Sequence, residues 1–182
     1  MDAVKKYFNI YNHNFVRVAS AIPELRVADP SFNAKKTIEL MKEAAKESSI
    51  IVVFPELGLS AYSCDDLFHQ QALLSECIQA LSDIVTASTD IPVVTIVGIP
   101  LKINDMLFNC AVVISQGLIA GIIPKTYLPN YREFYELRQF TPGDRALRDN
   151  ITILEQQGIP FGNNLLFKLN NQPLFTFYIE IC

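Results

Sequence analysis

Apolar and polar positions along the chain repeat with two different periods. Phe15 to Ile22 is mainly apolar and β-branched up to Pro23, the pattern of a first buried strand. Asp29-Pro30-Ser31 breaks the chain before a helix expected over about Asn33 to Ser48, where Ala34, Ile38, Met41 and Ala45 form one apolar stripe. Lys35, Glu39, Lys42, Glu43 and Lys46 give that helix a solvated face. Ile50 to Phe54 is uninterruptedly apolar and stops at Pro55, as a strand covered on both sides would. A second helix is expected over Gln71 to Ser88, burying Leu74, Cys77, Ile78, Leu81 and Val85, and a further strand over Pro92 to Ile99. Leu107–Ser115 and Leu118–Ile123 flank Gln116-Gly117 and read as a hairpin. Three short strands follow, Ile151–Leu154, Leu165–Leu169 and Leu174–Cys182, with Asn170 to Pro173 as the last turn. Strands alternating with two helices and then hairpins predict an α/β layer with a mixed sheet.

Composition narrows this picture. With 182 residues, half of them hydrophobic and 19% charged, the chain can build one sizeable core, and a second full domain is not expected. A net charge of −4 offers no basic patch, so nucleic acid is not an expected partner. The chain's beginning lacks the apolar run of a signal peptide, and no apolar stretch approaches the ~20 residues of a membrane span. Cys64, Cys77, Cys110 and Cys182 are far apart, and His13 and His69 form no cluster with them, so no metal site is expected. Free thiols in a reducing, cytoplasmic setting without membrane attachment are the expectation. Cys182 closes a strand whose sheet neighbours and covering helix have not yet come, so the sequence reads as incomplete at its carboxyl end.

Three polar residues stand at the ends of apolar runs: Glu56, Lys125 and Cys182. In α/β proteins catalytic groups gather at such ends. Each also has an ordinary reading: a carboxylate capping a turn, a solvated lysine, a small buried thiol. Together they would serve a cysteine hydrolase without histidine. A carboxylate takes the thiol proton, and an ammonium steadies the oxyanion formed when the thiolate adds to an amide. Cys77 and Cys110, on apolar stripes, read as core, and nothing beside Cys64 would activate it. A papain-like pairing of His13 or His69 with a cysteine has no support from flanking residues.

Phe54-Pro55-Glu56-Leu57, Pro124-Lys125 with Leu128-Pro129, and Glu180-Ile181-Cys182 occur in the order found in the nitrilase superfamily of carbon–nitrogen hydrolases. Within it, Gly121 to Glu136, Phe140 to Gly143 and Phe54 to Tyr62 closely resemble glutamine-dependent NAD synthetases, and the resemblance runs from about Phe15 to Cys182. It implies a nitrilase-type α-β-β-α sandwich, here as a partial domain over residues 1–182, with the synthetase domain absent. It implies Glu56 as general base, Lys125 as oxyanion stabiliser and Cys182 as nucleophile. Glu133 is implied as a second glutamate orienting the lysine, the alternative being an exposed loop carboxylate. Tyr131 is implied as a contact for the glutamine substrate, and Tyr62 as another, or as a simple core or surface tyrosine. The parent enzyme would use L-glutamine, with deamido-NAD, ATP and Mg at the synthetase domain, need no cofactor for glutamine hydrolysis, and form a homo-oligomer. Tyr178 departs from the pattern, since relatives commonly have a small residue there. A stand-alone amidase or carbamoylase is the alternative, as is an inactive product. Lacking the residue after Cys182, whose N–H serves the oxyanion, the 182-residue chain itself is expected not to turn over glutamine.

Overall fold

The computed structural model describes residues 9–146, 149–169 and 175–181. Five strands form the central sheet in sequence order: β1 (Val18–Ser20), β2 (Ile51–Val53), β3 (Val94–Ile103), β4 (Met106–Ser115) and β5 (Leu118–Pro124). The first three are parallel and the last three antiparallel, which gives the mixed sheet expected. Helices α1 (Pro30–Lys46) and α2 (Gln71–Ala87) cross between the parallel strands and pack together over one face.

Local chemistry sets the boundaries. The α1 helix begins three residues before the sequence pattern suggested, because Asp29 caps it by accepting from the Phe32 N–H at 3.0 Å and Pro30 takes the first helical position. Its buried stripe is rotated to include Asn33, Thr37 and Ala44 beside Ala34 and Met41, while Ile38 and Ala45 are only partly covered. In α2, Leu73, Leu74, Cys77, Ala80, Leu81 and Ile84 are buried, and Ile78 and Val85 flank them.

Two strand expectations need correction. Phe15–Ile22 is not a buried strand: only Val18–Ser20 pairs, at the sheet edge, and Phe15, Val18 and Ile22 are exposed. An apolar run does not reveal whether its strand gains one neighbour or two. The β3 strand runs on to Ile103 and turns through Asn104-Asp105 into β4, a hairpin the sequence reading missed. Both turn residues have positive φ (49° and 64°), as do Gln116 and Gly117 (51° and 78°) in the hairpin that was expected.

The β6 (Asn150–Ile153) and β7 (Gln156–Pro160) hairpin sits beside β5, where the Gln156 carboxamide accepts from the Ile119 N–H at 2.9 Å and donates to its carbonyl at 2.7 Å. On the face opposite the helices, Ile51, Val94, Ile96, Ala111, Val113 and Ile123 pack against the small β8 (Phe167–Leu169) and β9 (Phe175–Phe177) hairpin. The last strand is therefore shorter than the Leu174–Cys182 expected, and it has a partner in β8; Leu174 and Cys182 lie outside the described residues. No helix among the described residues is long and apolar enough to cross a membrane.

Candidate active site

The loop after β2 carries Glu56, and several contacts over-determine its path. Gly98 on β3 lies directly beneath it: a Cβ there would stand 2.3 Å from the Leu57 nitrogen and 2.7 Å from the Pro55 carbonyl oxygen. Only a residue without a side chain lets the loop come so close. Leu57 has a left-handed φ of 51°, and its carbonyl accepts from both the N–H and the hydroxyl of Ser60. Asn33, fully buried on α1, donates to the Leu59 carbonyl at 3.0 Å and so ties the loop to the helix layer.

Lys125 follows β5 directly. Its N–H donates to the Asn109 carbonyl at 2.8 Å, and its own carbonyl accepts from the Gly143 N–H at 2.8 Å. The side chain is 1% exposed. Its Nζ donates to Glu56 Oε1 at 2.7 Å and to Glu136 Oε1 at 3.0 Å. A buried ammonium requires such pairing, because desolvation without it is prohibitive. With all three groups ionised, two carboxylates share one cation and the cluster keeps a negative charge.

The carboxylate that holds the lysine is thus Glu136, not Glu133. The Glu133 side chain is exposed, the alternative the sequence had left open. Just before Glu133 the chain turns through Arg132 (φ 54°), and the Glu136 N–H closes on the Pro129 carbonyl at 3.1 Å, so the short α3 helix (Glu136–Gln139) begins with its first carboxylate pointing inward. Two exposed contacts pin this segment from outside: Tyr135 donates to Asp65 at 2.6 Å, and the Arg138 guanidinium grips Asp66 through Nε and Nη2. The hydrogen bonds from Arg138, with its charge adding to them, hold the Asp66 carboxyl below its usual range.

Tyr62 donates its hydroxyl to Glu136 Oε1 at 2.7 Å. Burial pushes this phenol well above its usual range, with the Glu136 hydrogen bond adding to the rise, so it stays a donor. Asn109 on β4, 1% exposed, donates through Nδ2 to Glu56 Oε1 at 2.6 Å. Its Oδ1 and Glu136 Oε2 are buried and accept no hydrogen bond among the described residues. Neither Asn109 nor Glu136 was singled out from the sequence. The signal for Asn109 was present: it is the one amide in the otherwise apolar run Leu107 to Ile114.

Glu56, Tyr62, Lys125, Tyr131 and Glu136 all line one cavity of 560 Å³, and Glu180 and Ile181 complete its wall. Tyr131 stands at its rim, 63% exposed, with its ring edge-on to Phe134 at 5.9 Å. Cys182, the expected nucleophile, lies outside the described residues; the two residues before it face the cavity that holds Glu56 and Lys125. The other three thiols are buried and none lines this cavity; Cys77 and Cys110 lie in the core, as expected.

The carbon–nitrogen hydrolase family model matches residues 17–163. The chain belongs to this family. As a carbon–nitrogen hydrolase, it is 41% identical over 176 residues to the glutamine-dependent NAD(+) synthetase of Mycobacterium bovis, an alignment covering 97% of this chain and 26% of the relative. The corresponding protein of Mycobacterium leprae is 39% identical over the same length. The chain thus spans about a quarter of the length of these curated relatives. Among solved structures, a glutamine-dependent NAD(+) synthetase from Cytophaga hutchinsonii superimposes with a TM-score of 0.77 at 25% identity, over 85% of this chain and 26% of that one. The NitN amidase from Neterenkonia sp. AN1 shares the fold at a TM-score of 0.63 and 18% identity, over 79% and 55% of the two chains. The α/β nitrilase-type fold read from the sequence is the one found.

Proposed function

We propose that the site hydrolyses the carboxamide of L-glutamine, as the ammonia-producing part of a glutamine-dependent NAD synthetase. The observation that carries this reading is the buried Lys125 ammonium held between two carboxylates on the wall of a cavity that Glu180 and Ile181 also line. Glu56 takes the Cys182 thiol proton while sulfur bonds to the amide carbon, and the negative charge that moves onto the amide oxygen meets Lys125. Glu56 returns the proton to nitrogen, the C–N bond breaks, and ammonia leaves a glutamyl thioester. Water then adds to the thioester with Glu56 again as base, the C–S bond breaks, and glutamate departs. Glu136 holds the lysine, and Tyr62 holds Glu136. Tyr131 and Tyr62 at the cavity are proposed contacts for glutamine.

The ammonia would amidate deamido-NAD at a synthetase site that uses ATP and Mg. Among the described residues no group of three His, Cys, Asp or Glu side chains could hold a metal ion. A cytoplasmic, homo-oligomeric parent enzyme completes the proposal.

A chloromethyl ketone analogue of glutamine tests the site without requiring turnover. It should alkylate Cys182, seen by mass spectrometry, and L-glutamine should protect where L-leucine does not. Glu56→Gln should slow labelling by about 10²-fold or more, and Lys125→Met by about 10²–10³-fold. Glu136→Gln should also slow it, while Glu133→Gln should label at the native rate. Labelling that glutamine does not protect, or that ignores Glu56 and Lys125, overturns the assignment.

A further inference from the structure

We propose that Asn109 is a positioning residue for the site, selecting which oxygen of Glu56 transfers the proton; the proton-transfer part of this inference rests on the amide-hydrolase reading above. Asn109 is almost fully buried in the middle of the sheet, on β4 opposite Pro100. Its Nδ2 meets Glu56 Oε1 at 2.6 Å, the same oxygen that Lys125 Nζ reaches at 2.7 Å. Two donors, one of them charged, therefore commit Oε1 as an acceptor, and Oε2 is the oxygen free of both. An oxygen already filled by two strong donors is the poorer proton acceptor, so Oε2 is the one left to take a proton.

Asn109 also acts through its backbone. Its carbonyl accepts the Lys125 N–H at 2.8 Å, so one residue sets both the carboxylate and the start of the lysine side chain. The amide orientation follows from the partner: a carboxylate accepts only from the Nδ2 end, since Oδ1 turned toward it would repel. Oδ1 then accepts no hydrogen bond among the described residues, on a strand position flanked by Phe108 and Cys110 in the core. A cavity of 300 Å³ lies along Asn109, Glu56, Gly98, Glu180 and Ile181, so this amide borders the same terminal segment as the lysine cluster.

Nuclear magnetic resonance of the ¹⁵N-labelled full chain decides the contact without activity. The Asn109 side-chain amide protons should lie downfield and exchange slowly. In Glu56→Gln the downfield displacement should be lost and exchange should quicken by about tenfold, the loss of one hydrogen bond to a charged group. Side-chain signals indifferent to Glu56→Gln overturn the proposal. The functional arm uses the glutamine chloromethyl ketone. Asn109→Leu should lower the limiting rate of Cys182 labelling at least tenfold and leave the half-saturating concentration unchanged, with the Lys125 N–H still protected because the carbonyl is retained. A folded Asn109→Leu that labels at the native limiting rate also overturns it. Should Asn109→Leu not fold, Asn109→Ser takes its place, and the Glu56→Gln measurement needs no change at position 109. If the native chain shows no glutamine-protected labelling, the hydrolase reading fails, yet the amide signals still decide the clamp.

Discussion

A cysteine's surroundings decide whether it is a nucleophile or a small hydrophobe, and this chain supplies a contrast. Burial raises the thiols of Cys64, Cys77 and Cys110, to about 12 for Cys77 and well above the ordinary value for Cys110. At pH 8 a thiol titrating near 12 is ionised in about one molecule in ten thousand. In the native chain these three should therefore resist iodoacetamide at pH 8 and react only after unfolding; labelling of any of them at the rate of a free thiol would contradict the core assignment. The same shifts predict a pH dependence of stability. The unfolded Cys77 thiol ionises near 8.5 while the buried one stays neutral, so between about pH 8.5 and 12 the unfolded state binds fewer protons and stability falls as pH rises, and the raised thiols of Cys64 and Cys110 act in the same direction. The slope from Cys77 approaches roughly 1.4 kcal/mol per pH unit. The melting temperature should decline across that window, and Cys77→Ala should flatten the decline even though it leaves a small cavity.

At the scale of elements, the site depends on how closely a loop can approach a strand. In Gly98→Ala the new methyl would need the space held by the Leu57 nitrogen, the Pro55 carbonyl oxygen and, at 2.8 Å, the Glu56 carbonyl carbon. Backbone atoms on both sides cannot rotate away, so the loop must lift, at a cost of about 1–3 kcal/mol of overpacking. A lower melting temperature together with loss of the downfield Asn109 amide signals would show that Glu56 has moved; a native melt with native signals would show the loop to be compliant. This dependence was invisible in sequence, where Gly98 reads as an ordinary residue in an apolar run. The long central strands, both long helices and the Gln116-Gly117 hairpin were legible because periodicity and turn chemistry act locally. The β6–β7 hairpin was half hidden, since Leu154 and Glu155 adopt left-handed φ (50° and 64°) without the Gly or Asn that usually advertises such a turn. Likewise the strand ends marked Glu56 and Lys125, but the resemblance placed the second carboxylate on Glu133. Only the folded path of the Tyr131–Tyr135 loop, closed by the Pro129–Glu136 hydrogen bond, brings Glu136 inward instead.

The molecule as a whole is a sheet with unequal sides. On one face α1 and α2 bury a continuous core that includes Met41, Leu81, Ile84, Ile99 and Ile114 at full burial. On the other, the cover among the described residues is a pair of three-residue strands whose Phe167, Phe175 and Phe177 pack on the sheet together with Leu165, Leu169, Ile179 and Ile181. Cooperative stability follows buried contacts, so the two sides should open at different free energies. The amides of β3 and β4, long strands with neighbours on both sides, should exchange only through global unfolding. Those of β8 and β9 should exchange through a smaller opening that exposes little surface, and so respond weakly to denaturant. The functional consequence lies in chain order: β9 ends at Phe177, and of the residues that follow, Ile179, Glu180 and Ile181 line the 300 Å³ cavity and Glu180 and Ile181 the 560 Å³ one. The segment that leads to the expected nucleophile should thus follow the more readily opened side, while Glu56, Lys125 and Glu136 stand with the central strands. Native-state hydrogen exchange at increasing urea measures this directly. Phe177→Ala should speed exchange in β8 and leave β4 unchanged. If β9 amides instead merge with the global unfolding isotherm at low urea, the two sides are one cooperative unit and the segment after β9 is as firmly held as Glu56, Lys125 and Glu136.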